Sequence, residues 1–137
     1  MTAREFLDQY READRRARRL KREYEKEQEL IDSVRSSADI DGMPRGKNIS
    51  KRVEDRAIRL ADKALKLNKA RLDAIEIRQR VFDVIQKIEG DAGEVLYLRY
   101  IELMQWTEIQ ERLNYSKNGI HKLHRKALGI VDQKRGY

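Results

Sequence analysis

Trp106-Thr107-Glu108-Ile109-Gln110-Glu111-Arg112-Leu113-Asn114-Tyr115-Ser116-Lys117-Asn118-Gly119-Ile120-His121-Lys122-Leu123-His124-Arg125-Lys126-Ala127-Leu128 is the stretch on which the fold turns. Thr107 and Gln110 stand at the spacing of a capping box, with Trp106 ahead of them as an apolar residue placed to pack back onto the helix it precedes. A short helix over Glu108 to Leu113 follows. Asn114 tolerates the left-handed conformation that ends it, and Ser116 is a helix-capping residue for a third helix that buries Ile120, Leu123 and Ala127. Two short helices joined by a turn of three or four residues, the second of them basic, match the helix-turn-helix plan.

In that plan the second helix enters the major groove with its first two turns, and the shorter helix crosses above the backbone. Lys117, Asn118, His121 and Lys122 occupy those turns, away from Ile120 and Leu123. Lysine donates to guanine O6 and N7 and asparagine pairs with adenine N6 and N7, so these four are the candidate base readers. Ser116, Arg125 and Lys126 lie where phosphates are the expected partners. Gly119, inside the reading helix, costs about 1 kcal/mol relative to alanine.

Working back from this unit, Asp91 with Glu94 three residues later reads as the start of a supporting helix that buries Val95, Leu98 and Ile101, and Gly90 stops the helix before it. At the other end of the chain, Phe6, Tyr10, Ala13, Ala17, Leu20, Tyr24, Ile31 and Val34 form a 4-3 seam that Glu27 interrupts. Thr2 and Glu5 make its capping box, so a first helix is expected over about 3 to 37. Asp39, Asp41, Gly42, Pro44, Gly46 and Asn48 place a loop at about 38–49. Apolar spacing then resumes with Val53, Ala57, Leu60, Ala64 and Leu67. A neighbouring row (Ile58, Ala61, Leu65, Leu72, Ile75, Phe82) widens that stripe, and two partners or one broad one must cover it. The expectation is an all-α chain: a long antiparallel helical hairpin over 1–90, a coiled-coil arm able to make a homodimer, then a helix-turn-helix domain over 91–137 that keeps its preference when cut free near Glu89.

The composition fits. Charged residues make up 40% of the chain and the mean hydropathy is -0.88, low for a sphere and suited to long solvated helices. The formal net charge is +7, and its location says more than its total. From Ser116 onward, Lys117, Lys122, Arg125, Lys126, Lys134 and Arg135 face only Asp132. The run Arg15-Arg16-Arg18-Arg19-Lys21-Arg22 is followed directly by Glu23, Glu25, Glu27 and Glu29, which is the dress of a solvated helix rather than of a grip on DNA. The chain has no cysteine, which removes disulfides, thiol catalysis and Cys-type zinc sites. His121 and His124, three apart, lack a third metal ligand and have lysines for neighbours. With no phosphate loop and no Ser-His-Asp or paired-carboxylate arrangement, neither an enzyme nor a cofactor is expected. The N-terminus has no run suited to a signal peptide or membrane span, so the expected location is the cytoplasm.

The run from Leu96 to Ser116, followed by Ile120-His121-Lys122-Leu123-His124-Arg125-Lys126-Ala127-Leu128, resembles the fourth region of sigma-70 type factors, which recognises the promoter -35 element. Together with the helical N-terminal part opening on Thr2-Ala3-Arg4-Glu5, the whole chain is similar to small phage and prophage proteins of Gram-positive bacteria, some of them late-gene transcriptional regulators. The resemblance implies double-stranded DNA as partner, RNA polymerase as a possible second one, and Lys117, Asn118, His121 and Lys122 at the base-contacting positions. Asn114 stands where that family usually has glycine, and Gln110 where it has alanine. The rival readings are a phage small terminase subunit, which binds packaging DNA as a ring, and a protein adaptor to RNA polymerase.

Overall fold

The computed structural model describes the backbone of residues 1–40 and 47–136 and the side chains of 1–36 and 50–135. The chain is all-helical among the described residues: α1 (Ala3–Ile40), α2 (Lys47–Ile85), α3 (Gly90–Leu96) running into a π-helical turn (Tyr97–Ile101), α4 (Trp106–Leu113) and α5 (Lys117–Gly136). Half of the loop expected at 38–49, residues 41–46, lies outside the described backbone, and the flanking helices reach into it as far as Ile40 and Lys47. None of the described helices is long and apolar enough to cross a membrane.

The start of α1 is capped as its sequence demands. The Thr2 N–H donates to the Glu5 carboxylate at 3.0 Å, and the Glu5 N–H donates to the Thr2 hydroxyl at 3.2 Å. Every seam position expected on α1 is buried or half-buried, with Ala3 and Leu7 added to them. Glu27, the apparent interruption, is itself buried.

Packing divides the chain into a unit of residues 15–72 and a unit of residues 1–14 with 73–137. In the first, Glu27 on α1 receives Arg56 at 3.2 Å and Lys63 at 3.4 Å from α2, and Lys63 also lies 3.9 Å from Glu23. A carboxylate 4% exposed is tolerable in an apolar seam because two cations and their hydrogen bonds replace its water. Leu67 and Ala70 of α2 are buried, while Ile58, Ala61, Leu65 and Leu72 stay exposed. The second apolar row therefore does not widen the first; it makes a separate face.

The second unit holds the main core. Ala3 and Leu7 from α1 and Val81 and Ile85 from α2 join Ile88, Val95, Leu96, Leu98, Tyr100, Ile101, Ile109, Ile120, Ala127 and Val131 in one cluster. The packing thus ignores the division expected at residue 90. Arg135 near the end of α5 donates to the Met1 carbonyl at 3.4 Å and lies 4.4 Å above the Phe6 ring, and Arg11 donates to the Arg99 carbonyl at 2.9 Å.

α2 ends at Ile85, before Gly90, and Gly90 (φ +73°) instead opens α3. No side chain caps α3 or α4, so the expected roles of Asp91 and of the Thr107–Gln110 pair at helix starts are not realised. Asp91 accepts from the Tyr115 hydroxyl at 2.7 Å, which ties α3 to the turn before α5 and holds that phenol above its ordinary pKa. After Leu96 the helix switches to π geometry, which no spacing in the sequence marks. The Glu102 N–H bonds back to Tyr97, and the turn closes with Leu103 at φ +58° and the Met104 N–H on the Leu98 carbonyl at 2.9 Å.

Candidate nucleic-acid interface

Between α4 and α5 the chain reverses in three residues. Asn114 sits in the left-handed region (φ 59°, ψ 46°), and its N–H and that of Tyr115 both point to the Gln110 carbonyl, which satisfies the end of α4. Ser116 then caps α5 by accepting from the Gly119 N–H at 3.0 Å. A Cβ at Gly119 would lie 3.0 Å from that serine oxygen and 3.4 Å from the Tyr115 ring, so the side-chain-free position serves the cap.

α5 is divided lengthwise. Ile120, His124, Ala127 and Val131, at 4-3-4 spacing, are buried, with Leu123 half-buried beside them. Lys117, Asn118, Lys122, Arg125 and Lys126 are exposed. Asn118, Lys122 and Arg125 fall at i, i+4 and i+7, one line along the helix, and Lys126 stands next to it. Ser116 is exposed but its oxygen is engaged in the cap.

His121, also expected among the base readers, is half-buried, its ring edge-on to Trp106 at 5.5 Å between centroids.

His124 is the residue that sequence reasoning missed as a structural element. It is 7% exposed, shares a 2.7 Å hydrogen bond between Nε2 and the Tyr100 hydroxyl, and lies 4.7 Å from Trp106. Arg99 covers the same indole at 4.7 Å and donates to the Met104 carbonyl. One signal could have found it: His124 continues the spacing Ile120, Ala127, Val131. Burial, reinforced by Arg4 and Arg99, lowers His124 from 6.5 to about 4, and burial with Asp8 beside it raises Tyr100 to about 12. Both groups are neutral at pH 7.

A histidine depressed in the folded state binds its proton better when unfolded, so acid favours unfolding. Stability should be fully present above about pH 6.5 and fall as the pH drops toward 4. Between pH 7.5 and 5.0 the loss expected from this group is about 2 kcal/mol. His124→Gln, which can still bond the Tyr100 hydroxyl but does not titrate, should flatten that part of the curve in urea unfolding at the two pH values. An equal pH dependence in the variant would refute the assignment.

Comparison with protein-family models, curated proteins and solved structures yields no match for this chain.

Proposed function

We propose that this chain is a sequence-specific DNA-binding transcription regulator, phage or prophage encoded and cytoplasmic, that reads the major groove with the first turns of α5 in the manner of the sigma-70 fourth region. In this reading α1 and α2 are an antiparallel hairpin arm and α4, the turn and α5 are the helix-turn-helix. The observation that carries it is the lengthwise division of α5: an exposed row of Lys117, Asn118, Lys122, Arg125 and Lys126 opposite a row anchored in the core. A helix cannot turn both faces inward, so anchoring one presents the other. Asn118 and Lys122 bring hydrogen-bonding groups suited to base edges, and Arg125 and Lys126 bring charge suited to phosphates. His121, half-buried against Trp106, completes the base-reading set.

Selection of duplex fragments by the purified chain from a phage or bacterial genome supplies the site. Binding to that site should weaken with salt on a log-log slope of roughly -3 to -5, for about three to five neutralised phosphates. Asn118→Ala or Lys122→Ala should reduce discrimination between the selected site and a scrambled duplex by about 1 to 3 kcal/mol. Lys126→Ala should weaken both duplexes alike and lower the slope by about 1. Equal losses on both duplexes for Asn118→Ala and Lys122→Ala would remove base reading from α5. A flat salt response would remove DNA altogether and leave a protein adaptor.

A further inference from the structure

α2 carries a second apolar line that nothing among the described residues covers. Ile58, Leu65, Leu72 and Ile75 are 69, 70, 62 and 64% exposed. Scattered exposed aliphatics need no explanation, but these follow a rule. With Ala61 and Asn68 they are spaced 3-4-3-4-3, the a and d positions of a heptad seam. The buried row of the same helix (Leu67, Ala70, Ala74, Val81) falls on other heptad positions, so α2 has two seams.

We propose that the exposed seam pairs with the same seam of a second copy of this chain, as a parallel, in-register coiled coil centred on Leu65 and Asn68. The flanking charges select this partner and this direction. With Ile58, Leu65 and Leu72 at a, the g position Arg71 meets the e position Glu76 of the other copy. Ala57 and Ala64 occupy the other g positions along the seam, so no like charges face each other there. Antiparallel registers fare worse: depending on the shift they set Asp55 against Glu76, Asp62 against Asp62, or Lys69 against Lys69. Parallel alignment also places the Asn68 amide opposite its counterpart, where the two can hydrogen-bond. A polar pair of this kind penalises slipped registers. Along the seam the pairing ends after Ile75, because Phe82, the later d position, is taken up by Tyr97 at 6.2 Å. This pairing does not depend on DNA binding.

Sedimentation of the full chain without DNA, at high micromolar concentration, tests it. The expected mass is twice 16.3 kDa, and Leu65→Glu combined with Leu72→Glu should return it to 16.3 kDa with unchanged helical circular dichroism, since both side chains are exposed in the single chain. Direction is read separately. The chain lacks cysteine, so Ile58→Cys introduces one thiol, which should give a disulfide-linked dimer on mild oxidation when the helices run parallel. A monomeric wild type, whose seam would then serve a different partner, overturns the proposal. So does a larger closed ring, a dimer that survives the double substitution, or a dimer in which Ile58→Cys does not cross-link.

Discussion

A fragment beginning at Asp91 should fail to fold, and with it should go any DNA preference that α5 has in the full chain. Such a cut removes Leu7, Val81, Ile85 and Ile88 from the cluster that buries Val95, Leu98, Tyr100 and Ile120. At about 1.5 to 3 kcal/mol per buried aliphatic, those four remove roughly 6 to 12 kcal/mol, against the 5 to 15 kcal/mol that holds a typical domain together. The fragment would also lose the contacts of Arg135 with Met1 and Phe6 and the bond from Arg11 to the Arg99 carbonyl. Circular dichroism and thermal melting of residues 91–137 decide the matter. The expected result is low helix content and no cooperative transition for the fragment, against high helix content and a cooperative melt for the full chain. A sharp melt in the fragment would show that the α1 and α2 segments cover the core without being needed for it.

Gly93→Ala should be the most damaging of the glycine substitutions, at about 3 kcal/mol. The first carbon of any side chain at this position would land on the carbonyl oxygen of Ile88. That oxygen belongs to backbone, and the Ile88 N–H is itself held to the Ile85 carbonyl at 2.9 Å, so no rotamer change relieves the overlap. α3 would have to move away from the turn that precedes it, opening contacts of Val95 and Leu96, both fully buried. Gly129→Ala is the control. Nothing lies within 4 Å of its Cβ position on the exposed side of α5, so alanine there should stabilise by up to about 1 kcal/mol through helix propensity alone. Urea unfolding of the two variants should give opposite signs, and a Gly93→Ala variant as stable as the wild type would show that the Ile88 carbonyl yields to a side chain at this position.

Much of the local structure was legible because it depends on neighbours in the chain. The Thr2–Glu5 capping box, the left-handed Asn114, the Ser116 cap and the α1 seam all arise from residues within one or two turns of each other. Charge on α5 was legible for the same reason, since Lys117, Lys122, Arg125 and Lys126 occupy successive turns of one helix. Where local patterns had two outcomes, the spacing could not choose between them. Thr107 with Gln110 and Asp91 with Glu94 have the right separation for caps, yet Trp106 extends α4 backward to pack on His124, and Asp91 is drawn to Tyr115.

The helical class, the helix periods and the position of the positive charge could be read from the residues in order, because backbone hydrogen bonding and side-chain period act over a few residues. Packing between distant segments is what makes the first turns of α1 complete the core with α5, His124 a neutral buried partner of Tyr100, Glu27 a member of its seam, and Ile58, Leu65 and Leu72 an open face. Each of those depends on what lies across from a residue, and the groups that meet there, such as Arg135 and Met1 or Glu27 and Arg56, are brought together by folding from distant points in the chain.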